Sequence, residues 1–224
     1  MVDAPSEPEK NCYDEDFTPH RIDLDNAARD DVLVRRHLRG SSGQRLRTQT
    51  QSRQQFIKCI TDMAPVRHFY VDNLLGNLEG TVAVAKAGTG EYPEGLVVQL
   101  IPNEVMIKHE KGFNAATRDW EFFFIDVDKD GSKILRRGFA EVNNRFGQNC
   151  FVCHAEAKAE FDLICEQDHG CDPIPVTRAM SDALQRTDPR CKNQQPVSAE
   201  DAQALKDLGE VFKALKASKE TDKH

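Results

Sequence analysis

Cys150, Cys153 and His154 stand in the order C-x-x-C-H, in the stretch CFVCH. Two thiols at this spacing fall on one helical turn, and the imidazole of the next residue emerges beside the second. The set suits thioether bonds from two cysteines to the two vinyl groups on one edge of a porphyrin, with the histidine reaching the iron from the same turn. The expected cofactor is therefore one covalently bound haem c, with Cys150 and Cys153 as its anchors and His154 as the proximal ligand of the iron. Other chemistries use the same residue types. A thioredoxin-like redox pair wants C-x-x-C at the head of a helix in a βαβ unit. A zinc site wants a second ligand pair, for which Cys165, His169 and Cys171 are the nearest source, although their crowding suits a disulfide staple better. A disulfide-rich binding domain without cofactor is a further alternative.

The elements that must position these residues read as antiparallel β-structure with flanking helices, an α+β fold. RHFYVDN, LVVQLIP, EVMIKHE, DWEFFFIDV and KILRRGFAEV are short β-branched or aromatic runs separated by Pro, Asn and Gly signals. C-x-x-C-H then falls at a strand-to-helix junction, followed by the helix formers AEAKAEF. DVDKDGS resembles a calcium loop at Asp126, Asp128, Asp130 and Gly131, but its twelfth position is Arg137 where a glutamate is needed, so a hairpin turn is expected. Asn73 is expected to cap a helix through LLGNLEGTVAVAKAG, stopped by Gly88.

Outside this block, residues 1–22 read as an N-terminal arm and 23–66 as a helical lead-in, with helix formers over 22–39 and 45–63. Phe56, Cys59, Ile60 and Met63 lie at helical spacing and predict one apolar stripe ending before Pro65. A haem domain is expected over 67–192, with a short helix around TRAMSDALQ, and a C-terminal helix and tail over 193–224. Ser198 and Asp201 resemble a capping box, and Leu205, Leu208, Phe212 and Leu215 form a stripe that either packs on its own domain or mediates a homodimer.

The chain has 224 residues, 39% hydrophobic and 30% charged, which is enough to bury a core without disulfides. Its formal charge of −7 and dispersed basic residues exclude a phosphate-tracking surface, so no nucleic-acid partner is expected. No apolar run approaches the roughly 20 residues of a membrane span. The first residues lack a secretory signal pattern. Seven cysteines, two of them six positions apart around an Asp-His-Gly turn, nevertheless point to an oxidising compartment, hence to a periplasmic or otherwise exported chain whose leader has been removed.

The order of helix, YPEG turn, LVVQL strand, WEFFF strand, Asp-Gly hairpin and NCFVCHAEA, with its C-x-x-C-H-x-x-A, resembles the cytochrome P-460 and cytochrome c′-beta family over roughly 67–190. FDLICEQDHGCDPIPVTRAM followed by LQRTDPRC is similar to the end of one branch of it. The resemblance implies a β-sheet monohaem c-type cytochrome of the periplasm, five-coordinate with an open distal side, in a chain that commonly dimerises. One branch binds nitric oxide or carbon monoxide in an aromatic-capped pocket. Another oxidises hydroxylamine, passes electrons to a soluble redox-partner cytochrome, and carries a lysine cross-linked to the porphyrin on the strand after the P-x-G turn. Here Gln99 and Leu100 occupy that strand where the cross-linked branch has its lysine; Lys108 is the fallback, although a lysine on a strand usually faces solvent.

For the distal side the candidates are Met106, which as an iron ligand would make a six-coordinate electron-transfer site, and Phe69, Phe122 and Phe124, which would wall an apolar pocket suited to a neutral diatomic ligand. His68 and His109 are ambiguous. With Cys150 and Cys153 given to haem, Cys165 and Cys171 form the natural local disulfide. Two of Cys12, Cys59 and Cys191 are expected to form another, with Cys59, on its apolar stripe, as the thiol left over.

Overall fold

The computed structural model describes residues 58–144, 147–192 and 196–221. The expected arm, Cys12, and the helices expected before residue 58 lie outside the described residues. The described chain runs β1 (Ala64–Val66), β2 (Phe69–Asn73), α1 (Leu78–Ala87), β3 (Leu96–Gln99), β4 (Glu104–Lys108), β5 (Trp120–Asp128), β6 (Gly131–Gly138), α2 (Cys150–His154), α3 (Arg178–Arg186) and α4 (Ala199–Thr221). The strands pair antiparallel in sequence order, β1 to β6, giving a six-stranded meander in an α+β fold. Only antiparallel neighbours can be joined by connections as short as those between β1 and β2 or β5 and β6.

The Asp-Gly stretch forms the β5–β6 turn: the Asp128 carboxylate accepts from the amides of Asp130 at 2.7 Å and Gly131 at 3.0 Å. The turn's own backbone therefore occupies one of the carboxylates that suggested a calcium loop.

Alternation along the strands sorts the sheet into two apolar faces. On one, Val71, Val98, Met106 and Phe122 are successive cross-strand partners, so a single row crosses four strands and ends opposite Gly138 on β6. Ala85 of α1 and the loop residues Leu163 and Ile164 join this cluster, and Cys150 and Phe151 of α2 pack against it. Val97, Val105, Ile107, Phe123 and Ile125 make the core of the other face with Met63. Burial on both sides explains why LVVQ reads as a continuous run rather than an alternating one.

Several local expectations need correction. Over 58–63 the chain forms only a 3₁₀ turn, Ile60–Asp62, with Met63 already extended as it enters β1. Cys59, Ile60 and Met63 are buried as the stripe predicted, but through a turn held by tertiary bonds. One of these bonds is a Cys59–Cys191 disulfide, so Cys59 is not the leftover thiol. A second is the Ile60 amide donating to Asp188 at 2.9 Å. The α1 cap is Asn77, not Asn73; Asn73 instead accepts from the Leu75 and Asn77 amides and builds the turn before the helix. After His154 the helix stops, and the AEAKAEF segment contains only a 3₁₀ turn, Ala159–Phe161, because Lys158 donates its amide to His169 in the following loop. The α4 helix begins as expected, with Ser198 accepting from the Asp201 amide, but the Asp201 carboxylate turns to Arg186. Leu208 and Ala204 are buried, and α4 packs on α3 of its own chain.

Candidate functional site

The α2 helix is a single turn, started by a cap and fastened to the end of the sheet. Asn149 holds an extended backbone, and its side-chain oxygen accepts from the Val152 amide at 3.0 Å. Its side-chain nitrogen donates to the Ala140 carbonyl at 2.8 Å, and the Cys150 amide donates to Val142 at 2.9 Å. The turn is thus tied to the chain leaving β6. Cys150, Cys153 and His154 come together on it as the spacing requires.

The four other described cysteines form two disulfides, Cys59–Cys191 and the expected Cys165–Cys171; Cys150 and Cys153 stand outside both. Burial, then the nearby Glu104 carboxyl and Cys153, push the Cys150 thiol up to about 12, so it stays protonated at neutral pH. Glu104 is itself pushed up to about 7 by burial. It shares its side of β4 with Met106 and Lys108 and lies opposite Phe124.

His154 is oriented by a hydrogen bond of 2.7 Å between Nδ1 and the Leu163 carbonyl. A carbonyl only accepts, so Nδ1 carries the proton and Nε2 keeps its lone pair. Burial lowers the pKa of the imidazole, which favours the neutral, ligating form. The donor set fits a c-type haem: two thiols outside the disulfides and a neutral imidazole with Nε2 unprotonated, all on one turn.

The structure sorts the expected distal residues. Met106 and Phe122 are cross-strand partners beside the site, both buried. Phe122 lies 5.5 Å from the His154 ring and 6.4 Å from Phe151, so it walls the histidine side. Phe124 is buried on the same strand, with the Arg136 guanidinium 5.1 Å from its ring. Phe69 belongs to the same core, and with His68 it lines a cleft of about 190 Å³ formed by the β1–β2 hairpin and α3. His109 follows β4 on the other side of the sheet and bonds Glu121 at 2.7 Å. Lys108 does not face solvent: it is buried and paired with Asp162 at 2.7 Å. His169 is a loop residue, bonded to the Ile164 carbonyl at 2.6 Å and stacked on Phe161.

Asn149, Leu163 and Asp162 were not anticipated from sequence. Asn149 was open to recognition as a helix cap; the Leu163 carbonyl and the Asp162 carboxylate carry no sequence signal, since their roles depend on a turn closed by distant partners. Compared with known proteins, the chain matches no family model, no curated protein and no solved structure.

Proposed function

We propose that this chain is an exported monohaem c-type cytochrome that binds a small ligand, nitric oxide or a related nitrogen oxide. The observation that carries the reading is the single turn presenting Cys150, Cys153 and a His154 whose Nδ1 is already satisfied. When bound, haem would be held by Cys150, Cys153 and His154 and would supply an iron able to take up a small ligand. The chain's own part is to hold the ring edge through two thioethers, to fix the imidazole, and to place the apolar surface of Met106 and Phe122 beside the site. Two disulfides suit an oxidising compartment, and among the described residues no helix is long and apolar enough to cross a membrane. The likeness to the cytochrome P-460 and cytochrome c′-beta family supports the same assignment. Of that family's two activities, ligand binding is favoured over hydroxylamine oxidation because the fallback for the cross-linking lysine, Lys108, is engaged by Asp162.

Export of the full chain together with haem-attachment machinery tests this. Haem should survive a denaturing gel, be lost in the Cys150→Ala/Cys153→Ala variant, and show a ferrous Soret band that moves on adding nitric oxide or carbon monoxide. A colourless protein overturns the reading. Low-spin bands indifferent to both gases overturn its ligand-binding half and favour electron transfer with Met106 on the iron. A strongly red-shifted band points to a lysine cross-link and hydroxylamine oxidation.

A further inference from the structure

The carbonyl that orients His154 belongs to an unusual turn. Asp162 and Leu163 both hold left-handed backbone, with φ of 46° and 64°. Neither is glycine, so the conformation is strained and persists only where neighbours over-determine it. The neighbours are present. Lys108 Nζ donates to both oxygens of the Asp162 carboxylate, at 2.9 and 2.7 Å, and the Tyr92 amide donates to Oδ2 at 2.9 Å. The same ammonium donates to the Arg118 carbonyl at 2.7 Å and lies 5.1 Å from the centre of the Trp120 ring. Arg118 and Asp119 form a second left-handed pair, and the Arg118 guanidinium reaches back to the Ala159 carbonyl at 3.0 Å. Lys108 thus sits between two strained turns and bonds to both, with its side chain 4% exposed and that of Asp162 6% exposed.

We propose that the Lys108–Asp162 ion pair is a positioning device for His154: by clamping the turn at Asp162 it holds the next carbonyl, that of Leu163, against Nδ1, and so fixes which imidazole nitrogen is presented to a cofactor. The clamp rests on the cytochrome reading only for the use of Nε2; the geometry from Lys108 to His154 is independent of it. It also gives the buried lysine a task that leaves its amine engaged by two acceptors. Removing one partner of a buried pair strands the other, so the turn relaxes and the carbonyl leaves the imidazole.

The test compares the wild-type chain with Lys108→Met, with the milder Asp162→Asn, and with Arg186→Ala, which breaks a pair between α3 and α4 remote from the turn. In long-range proton–nitrogen spectra of the full chain exported without attachment machinery, His154 should show the single Nδ1–H tautomer in the wild type and in Arg186→Ala. It should become a mixture of the two tautomers in Asp162→Asn and Lys108→Met. In the haem-loaded chain, the midpoint potential should move positive in Asp162→Asn and Lys108→Met and stay at the wild-type value in Arg186→Ala, because a weaker hydrogen bond leaves a less electron-rich imidazole. A His154 tautomer and potential that ignore Asp162→Asn overturn the clamp while leaving the cytochrome reading intact. A chain that never takes haem overturns that reading, and the imidazole spectrum still decides the clamp.

Discussion

The imidazole of His154 and the backbone carbonyl of Leu163 lie 2.7 Å apart, joined across a strained turn rather than by a side chain. The bond uses the Leu163 main chain, while its side chain sits in the core. The two roles separate experimentally. Leu163→Ala should cost about 2–5 kcal/mol of stability, as for a truncated buried leucine. The carbonyl remains, so the His154 tautomer should be retained under native conditions. Urea denaturation gives the first quantity and imidazole nitrogen spectra the second.

The two disulfides should differ in weight and in what they protect. Cys59–Cys191 closes a separation of 132 residues and Cys165–Cys171 one of 6. On the chain-entropy model the first stabilises by about 5 kcal/mol and the second by about 2 kcal/mol. Cys59→Ser/Cys191→Ser should therefore lose more in guanidinium unfolding than Cys165→Ser/Cys171→Ser. The smaller bridge closes the loop immediately after Leu163 and Ile164, so its loss should disturb the His154 imidazole signal, whereas loss of the larger one should not.

Glu104 gives the fold a pH dependence of definite sign. Burial holds its carboxyl near 7, against 4.5 as the ordinary value. Between those values the folded state carries a proton that the unfolded state has released. The Glu104 contribution is therefore fully present below about pH 4.5 and is lost as pH rises toward 7. Glu104→Gln removes the proton exchange. Its denaturation free energy, measured across this window, should fall less with pH than that of the wild type and should exceed it above pH 7. Parallel curves would show that Glu104 ionises without such a penalty.

The fold was legible where the sequence carries local periodicity. β2 through β6, the Asp-Gly hairpin, α3, the start of α4 and the Cys165–Cys171 bridge were all readable, because β-branched runs, turn residues and caps act over a few positions. C-x-x-C-H was legible because it is a local pattern on one turn. What was not legible depends on partners far along the chain. Cys59 read as an apolar helical residue, yet Cys191 and Asp188 set its surroundings. Lys108 read as a strand lysine facing solvent, yet Asp162, 54 positions away, takes it into the core. The expected helix after His154 fails for the same reason: helix-forming residues yield to a loop whose amides are used elsewhere.

The buried charges on the opposite side of the sheet offer a control for all experiments on the site. Glu121 follows Trp120 on β5 and so points away from the His154 side. Its carboxylate accepts from Arg137 Nε at 2.7 Å and Nη2 at 3.0 Å, and it bonds His109 Nε2 at 2.7 Å. The His109 ring is also stacked on Phe113, with centroids 4.1 Å apart. Glu121→Gln keeps the shape but removes the charge that holds a buried histidine and a guanidinium together. Breaking a buried pair in this way should cost about 3–5 kcal/mol, more than the 0–1 kcal/mol of a surface pair. The His154 signal, and any haem attached through Cys150 and Cys153, should be unchanged at temperatures where the variant is folded. Calorimetry and the optical spectrum together check this. A spectrum that shifts with Glu121→Gln would mean that the two faces of the sheet communicate, and that the clamp on His154 extends beyond Lys108 and Asp162.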